Sequence, residues 1–249
     1  MCGRYTLTSP GEVVAEVFDL VDVPPILPRY NLAPTQEAAV VRIAAPGAAR
    51  TLAMLRWGLI PAWAKDPAIG NRLINARAET AAEKPAFRDR FRRQRCGVAA
   101  DGFYEWRKLD AKTKQPYLIR RQDRRPFAFA GLWATWRGPA ADRPVETFTI
   151  LTTSPNELMR PLHDRMPVIL DRRDFAAWLD PAARDAAALQ ALLAPAPAGG
   201  WEAVPVSRAV NSPAHDEPDC VSSGRSTITI RRKNSARKTR PTPRRQRAF

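Results

Sequence analysis

Cys2 is the residue of this chain with the most distinctive potential chemistry. Removal of Met1 would leave an amino-terminal cysteine that carries a free α-amine and a thiol, an aminothiol. An α-amine with a pKa of about 7.7 to 8 is partly neutral near pH 7, and a thiolate is a strong nucleophile, so both can attack one electrophile. With an aldehyde, the amine gives a Schiff base and the sulfur then closes a thiazolidine ring. Taken alone, Cys2 is better interpreted as a small residue that follows the initiator methionine. Capture of an aldehyde by this aminothiol requires Cys2 to be exposed.

Three other polar residues stand among apolar neighbours. Glu105 lies in the aromatic run 102–106, where burial would raise its pKa and make it a proton carrier at neutral pH. That segment by itself favours a Glu on the solvated face of a strand. His163, in a loop before a predicted strand, can transfer protons near pH 7 or serve as a surface or capping residue. Asn75 can orient a substrate oxygen or cap a turn.

The composition indicates one large folded domain with an uneven charge. At 249 residues, 45% hydrophobic, the chain can fill a substantial core. The formal charge of +15 suggests a polyanionic partner. Residues 225–249 carry ten Lys or Arg and no acid, which leaves 30 basic against 25 acidic residues in the first 224. Nucleic-acid binding by the body must therefore depend on specific residues.

The cysteines and histidines argue against several classes of protein. Cys2, Cys96 and Cys220 are an odd number at wide spacing, so no disulfide framework is expected and a reducing cytoplasm fits best. His163 and His215 are too few and too scattered for a histidine-based site, so we expect no metal. No apolar stretch is long enough to predict a membrane span or a signal peptide.

Short runs of β-branched, aromatic or alternating apolar residues predict a β-rich body of the α+β class. Strands are predicted at residues 4–8, 38–44, 51–59, 96–106, 116–121, 127–136, 145–152 and 166–170. Helices are predicted at residues 12–18, 84–94, 155–161, 172–179 and 181–193.

Caps and composition define the ends of these elements. Ser9 with Glu12 reads as a capping box for the first helix, and Ser154 with Glu157 as one for the helix at 155–161. The proline-rich segment 23–34 is interpreted as a connector. We expect a catalytic domain at 1–221 and a basic, disordered tail at 222–249. The tail is interpreted as a non-specific nucleic-acid arm, as a solvated extension, or as the product of an altered reading frame.

Several blocks, taken together and in order, resemble the SRAP family (SOS response-associated peptidase). The resemblance covers about residues 1–220. The blocks are Met1 to Tyr5, Tyr30 to Thr35, Arg56 to Pro61, Ile74 to Thr80, Gly102 to Trp106, Leu151 to Thr153, His163 to Pro167, and Val206 with Ser207. The chain departs from the family pattern near its end, where Val210-Asn211 and Glu217-Pro218-Asp219 are followed by Cys220 and the basic tail. Cys220 can be a packed residue or an exposed thiol.

The resemblance implies a single, barrel-like β-rich domain that shields abasic sites in single-stranded DNA during replication or the SOS response. It implies that Cys2 forms a thiazolidine with the aldehyde of the lesion after Met1 is removed. Asn75 would hydrogen-bond the opened sugar, and Glu105 and His163 would shuttle protons, each transfer being worth about 10²- to 10⁴-fold. No cofactor is needed, and weak strand cleavage is a further possibility. We expect a monomer in the bacterial cytoplasm, associated with the nucleoid.

Candidate DNA contacts surround these chemical positions. The cationic candidates can hold phosphates as planar forks, and the aromatic ones can stack on a base or wedge at a junction, although core packing is an alternative for both tryptophans. The candidates are Arg4, Arg77, Arg165, Trp63, Trp106, Asn31 and Pro34. No helix with base-reading side chains is found, so recognition should depend on the lesion and the backbone.

Two other functions remain open. Cys2 could be the nucleophile of an amino-terminal peptidase or amidohydrolase, with its own amine as base and an autoproteolytic origin. Alternatively, the chain could bind DNA without covalent chemistry. A peptidase releases its acyl product, an aldehyde trap stays bonded to DNA, and a binding module tolerates the loss of Cys2.

Overall fold

The computed structural model describes residues 2–138 and 143–223 and a two-residue strand at Ile228–Thr229. The strands of this described part are β1 (Tyr5–Leu7), β2 (Arg29–Leu32), β3 (Glu37–Arg42), β4 (Thr51–Trp57), β5 (Asn75–Arg77), β6 (Arg95–Ala100), β7 (Gly102–Lys108), β8 (Lys114–Arg121), β9 (Phe127–Trp136), β10 (Val145–Thr153), β11 (Met166–Pro167), β12 (Ile169–Leu170), β13 (Trp201–Pro205) and β14 (Ile228–Thr229). Its α-helices are α1 (Gly11–Phe18), α2 (Ala78–Ala81), α3 (Arg88–Arg93), α4 (Phe175–Leu179) and α5 (Ala186–Ala191). Short 3-10 helices span Pro67–Arg72, Arg172–Asp174, Arg208–Asn211 and Pro218–Val221.

Five strands close into a barrel-like ring. In the order β10, β4, β3, β6 and β9, each strand pairs with the next, and β9 pairs back with β10. The β10–β4 pair is parallel and the other pairs are antiparallel. Strand β5 also pairs in parallel with β10, at residues that follow the pairing of β10 with β4. The prediction of one β-rich, barrel-like α+β domain is confirmed.

A second, antiparallel sheet carries the amino terminus. Its strand order is β14-β13-β8-β7-β1-β2. The chain leaves the barrel at the end of β6 and enters this sheet at β7, so the strand predicted at 96–106 is two strands separated by Asp101. Gly102 is required at this crossing, because a Cβ there would lie 2.8 Å from Leu118 Cδ1 and 3.0 Å from the carbonyl oxygen of Ile119.

An aromatic cluster fixes β1 against the barrel. The ring of Tyr5 lies 5.2 Å from that of Trp57 and 5.7 Å from that of Phe129, both in edge-to-face geometry. Trp57 in turn stacks on Phe148 at 6.2 Å. All four side chains are buried. Edge-to-face pairs add about 0.5 to 1.5 kcal/mol to the stabilisation from burial, so the start of the chain is held by the core.

The predicted helices form only in part. Helix α1 begins at Gly11, but Ser9 does not cap it, because its hydroxyl donates to Asp101 at 2.7 Å. The segment 155–161 forms turns instead of a helix, and Asn156, not Ser154, caps it by accepting from the backbone N–H of Met159 at 3.0 Å. The helix predicted at 181–193 is shortened to α5, since the carboxylate of Asp185 caps its first turn.

Two segments that were predicted to be irregular contain short strands. The proline-rich connector 23–34 ends in β2, which pairs with β1. Within the predicted tail, β14 pairs with β13, while residues 224–227 and 230–249 lie outside the described residues. The described helices are all too short or too polar to span a membrane.

Candidate active site

Cys2 lies at the entrance to β1 and is buried. Its relative exposure is 0% in the chain that carries Met1, so the expectation of an exposed leading residue, which concerns the chain after removal of Met1, stays a prediction. The carbonyl oxygen of Cys2 accepts a hydrogen bond of 2.8 Å from Asn75 Nδ2, and its Sγ lies 3.9 Å from the carbonyl oxygen of Arg4. Burial raises the pKa of the thiol, and the negative charge of Glu105 raises it further.

The position of Cys2 depends on a clamp at the other end of β1. Asp101 donates its backbone N–H to the carbonyl oxygen of Thr6 at 2.8 Å. Its carboxylate accepts from the backbone N–H and hydroxyl groups of both Thr8 and Ser9. The first strand is therefore tied to the crossing between the two sheets, which limits the movement of the residues that precede it.

Asn75 reaches the site from the barrel. It opens β5, whose parallel pairing with β10 sets Asn75 opposite Ile150. With Nδ2 committed to Cys2, its Oδ1 is a buried acceptor with no hydrogen-bond partner in the described part of the chain. A donor group of a substrate could satisfy this oxygen, because an unsatisfied buried acceptor is costly.

Glu105 points into the interior from β7. Side chains alternate along a strand, so Glu105 faces the buried side while Trp106 faces the other. Its exposure is 3%, and the interpretation as a solvated Glu is wrong. Burial raises the pKa of Glu105, while the positive charges of the chain's amino terminus and of His163 act in the opposite direction. Because its pKa is raised, this carboxyl takes up a proton more readily than an ordinary glutamate, which suits a proton carrier.

His163 is electrostatically coupled to Glu105 and is held by its own loop. Its backbone N–H donates to the carbonyl oxygen of Met159 at 2.9 Å. Nδ1 lies 3.0 Å from the backbone nitrogen of Arg165 and 2.7 Å from Asp164 Oδ1. Nδ1 can accept from Arg165 only without a proton and can donate to Asp164 only with one, so the loop offers a partner to either form of this nitrogen.

The three arginine candidates differ in how free they are. Arg77 is exposed. Arg4 donates to Asn31 Oδ1 at 3.1 Å and to the carbonyl oxygen of Val210 at 2.9 Å. Arg165 forms a two-pronged ion pair with Glu79, both contacts 2.8 Å, and also donates to the carbonyl oxygen of Thr152. The hydrogen bonds from Arg165 lower the pKa of Glu79.

The aromatic and loop candidates also differ in their exposure to solvent. Trp63 is 62% exposed, whereas Trp106 is half-buried and donates from Nε1 to Asn211 Oδ1 at 2.7 Å. Pro34 is half-buried. Asn31 is fully buried, and its Nδ2 donates to three backbone carbonyls of the segment 210–215. In this conformation Asn31 holds a loop and cannot reach a ligand directly.

Sequence reasoning overlooked the residues that support the site. Glu79 lies inside the block Ile74 to Thr80 and Asp101 directly precedes the block Gly102 to Trp106, and these positions were the only available signal. Asp216 accepts from the backbone N–H groups of Tyr30 and Asn31 and so joins β2 to the end of the domain. The departure from the family pattern does not disrupt this region, where Cys220 is a buried, packed residue.

Several known proteins are similar to this chain. The abasic site processing protein YoqW of Bacillus subtilis is 47% identical over 226 residues, which cover 90% of this chain and all of that protein. The abasic site processing protein YedK of Escherichia coli is 32% identical, with 85% of this chain and 95% of that protein covered. The abasic site processing protein HMCES of Xenopus tropicalis is 32% identical, with 78% and 65% covered.

Solved structures share the fold. A protein from Bacteroides thetaiotaomicron superposes with a TM-score of 0.77 at 26% identity, covering 90% of this chain and all of that one. A phage-related protein from Bordetella bronchiseptica gives a TM-score of 0.67 at 32% identity, with 83% and 95% covered. The family model for SOS response associated peptidase (SRAP) matches residues 1–213, and this chain therefore belongs to the SRAP family.

Proposed function

We propose that this protein processes abasic sites in single-stranded DNA by trapping the lesion's aldehyde covalently on Cys2. The observation that carries the proposal is the meeting of four groups: Cys2 is held by Asn75, lies in the field of Glu105, and Glu105 is coupled to His163. The relatives named for abasic site processing support the same substrate. The SOS and replication context would follow from shielding such lesions.

The chemistry requires Met1 to be removed, so that the α-amine belongs to Cys2. The amine adds to the aldehyde carbon of the opened deoxyribose, and loss of one water gives the imine. The sulfur then bonds to that carbon, and its proton ends on the nitrogen. The net reaction joins protein and DNA with the release of one water, and it needs no cofactor.

Burial raises the pKa of the Cys2 thiol in the chain that carries Met1, and the same burial supports attack by the amine first once Met1 is removed. A buried thiol next to a carboxyl is mostly protonated at neutral pH and is a poor initial nucleophile. Once the imine forms, the sulfur is already adjacent to the electrophilic carbon, so proximity replaces thiolate character as the source of rate.

Each neighbour has a role in this scheme. Asn75 Oδ1 would accept from a hydroxyl of the opened sugar. Glu105 would move protons during imine formation and ring closure, because its raised pKa makes it a stronger base than an ordinary glutamate. His163 would assist opening of the closed sugar and slow reversal, since its loop offers Nδ1 both a donor and an acceptor. Weak strand cleavage could branch from the same imine.

DNA would be held through its backbone around the lesion. Arg77 and Trp63 are exposed and are the most available for a phosphate and for a base. Arg4, Arg165, Trp106 and Pro34 would join after local rearrangement, and Asn31 would act only by holding Arg4. We further propose that the domain at 1–221 acts as a monomer in the cytoplasm, with the tail at 222–249 as a salt-sensitive accessory.

The peptidase alternative is less well supported by the electrostatics of the site. A cysteine nucleophile that attacks an acyl carbon requires a lowered thiol pKa. Here burial and the neighbouring carboxyl raise it. We retain peptidase activity only as an origin for the free amino terminus, through autoproteolytic removal of Met1.

The decisive experiment mixes processed protein with single-stranded DNA that contains one abasic site and separates the products on a denaturing gel. We expect a shifted band that is absent with Cys2→Ala and with protein that retains Met1. Cys96→Ser is the matched control, because Cys96 is equally buried but lies in β6 of the barrel. A wild-type band that persists in Cys2→Ala would refute the trap.

A second comparison isolates the tail. Truncation after Ser222 should lower the salt sensitivity of DNA affinity and leave the covalent bond intact. Loss of crosslinking on truncation would contradict the accessory role.

A further inference from the structure

A second cluster of chemically capable side chains lies at the end of the domain, apart from Cys2. His215, Asp219 and Cys220 are brought together by the 3-10 helix Pro218–Val221 and the turn before it. One donor atom from each residue, a ring nitrogen, a carboxylate oxygen and a thiol sulfur, lies within 4.8 Å of the other two. These are the donor types that Zn²⁺ and similar divalent cations prefer.

The side chains of the cluster would have to turn before they could hold a metal ion. His215 Nε2 lies 2.6 Å from Asp219 Oδ1. Metal–ligand bonds of about 2.0 to 2.3 Å at tetrahedral angles place ligand atoms roughly 3.3 to 3.8 Å apart. Rotation of the His215 and Asp219 side chains would therefore suffice to admit an ion between them. Both reach solvent, which leaves room for a water as a further ligand.

The backbone that carries the three donors is fixed before any metal binds. The carbonyl oxygen of His215 accepts from Asn31 Nδ2 at 2.7 Å, and its N–H donates to Ser212. The N–H of Cys220 donates to the carbonyl oxygen of Glu217 at 3.0 Å. A preformed arrangement lowers the entropic cost of binding, as it does for any rigid site.

Asp216 lies between these residues in sequence but faces away from the cluster. Its carboxylate is taken by Arg29 and by the backbone N–H groups of Tyr30 and Asn31. Of these two carboxylates, Asp219 is therefore the one directed toward His215.

We propose that His215, Asp219 and Cys220 form a structural site for a divalent cation of the Zn²⁺ type. The thiol would release its proton to solvent on binding. The site would brace the loop that holds two residues near the active site, since Val210 accepts from Arg4 and Asn211 accepts from Trp106. This revises the sequence expectation of no metal, which considered only spacing along the chain.

The test uses the full chain carrying Cys2→Ala, because an amino-terminal aminothiol can itself bind metal. Zn²⁺ is titrated against a competing chelating indicator, and Co²⁺ is added separately to look for the absorption band of a thiolate bound to cobalt. We expect one equivalent to bind, with the band present. His215→Asn and Cys220→Ser should each weaken Zn²⁺ binding at least tenfold and Cys220→Ser should abolish the band.

Cys96→Ser in the same background is the matched control, since that thiol is also buried but lies in the barrel, and it should bind Zn²⁺ as the parent does. Equal affinity in the parent and in His215→Asn would overturn the proposal, as would a Co²⁺ complex without the thiolate band. If Cys220→Ser fails to fold, His215→Asn decides, because that side chain reaches the surface.

Discussion

Arg95 and Glu105 are both almost fully buried, at 2% and 3% exposure, yet their surroundings are opposite. The guanidinium of Arg95 donates to four backbone carbonyls, those of Phe91, Trp178, Asp180 and Ala183. Burial lowers the pKa of Arg95 to about 10, so it still stays charged at neutral pH. Burial instead raises the pKa of Glu105, which lies beside a thiol that would carry the same charge.

The difference separates structural from chemical use of a buried charge. Fixed carbonyl dipoles compensate Arg95 and tie β6 to the segment after α4, so its charge is permanent. Burial of Glu105 penalises its ionised form, so this carboxyl binds a proton more readily than an ordinary glutamate. Buried ionisable groups of the second kind cluster at functional sites.

The largest expected effect comes from Glu105→Gln, which keeps the shape and removes the proton transfer. Crosslinking should slow by about 10²- to 10⁴-fold, measured as band formation over time on a denaturing gel. Glu37→Gln, at an exposed position of β3, is the matched control and should react as wild type. An unchanged rate in Glu105→Gln would show that Glu105 does not transfer protons in the reaction, and its use would then not differ from the structural use of Arg95.

Arg95→Met tests the structural half of the comparison. The four carbonyls would lose their donor, and we expect a loss of about 3 kcal/mol or more in the free energy of unfolding, measured with urea. The fraction that stays folded should crosslink at the wild-type rate. A stable variant that crosslinks slowly would show that Arg95 serves the site.

The pH dependence of stability sharpens the comparison further. Because the folded pKa of Glu105 is raised, its protonated form favours the folded state, and that contribution is complete below the ordinary glutamate pKa of 4.5. It should be lost as pH rises through the raised pKa. The free energy of unfolding of the wild type minus that of Glu105→Gln, measured with urea across this pH range, should fall as the pH increases. A flat difference would contradict the shift.

The smallest effect is expected at Arg165. Glu79→Gln removes the carboxylate that now competes with a phosphate, and DNA affinity should rise about two- to fivefold at low salt, with a smaller gain at high salt. Fluorescence anisotropy with unmodified single-stranded DNA measures this without crosslinking. Weaker binding would indicate that Glu79 positions Arg165 for the DNA instead.

The strands were largely predictable because alternation of apolar residues is a local signal. The segment 127–136 matches β9 at both ends. The prediction of a helix at 155–161 was wrong, because Asn156 uses its side chain for Met159 and for the distant carbonyl oxygen of Ala196. Ser9 likewise fits a capping box locally, but Asp101 takes its hydroxyl from another strand.

The sequence by itself determined the available chemistry: a thiol at Cys2 that removal of Met1 would turn into an aminothiol, a carboxyl at Glu105, an imidazole at His163, an amide at Asn75, and the β-rich class of the domain. Only the tertiary structure decided that Cys2 is buried, that Arg165 pairs with Glu79, and that His215 meets Cys220. Residue types and periodicity are local properties of a chain. Burial and pairing arise when strand register joins residues that lie far apart in sequence, and no local pattern encodes that closure.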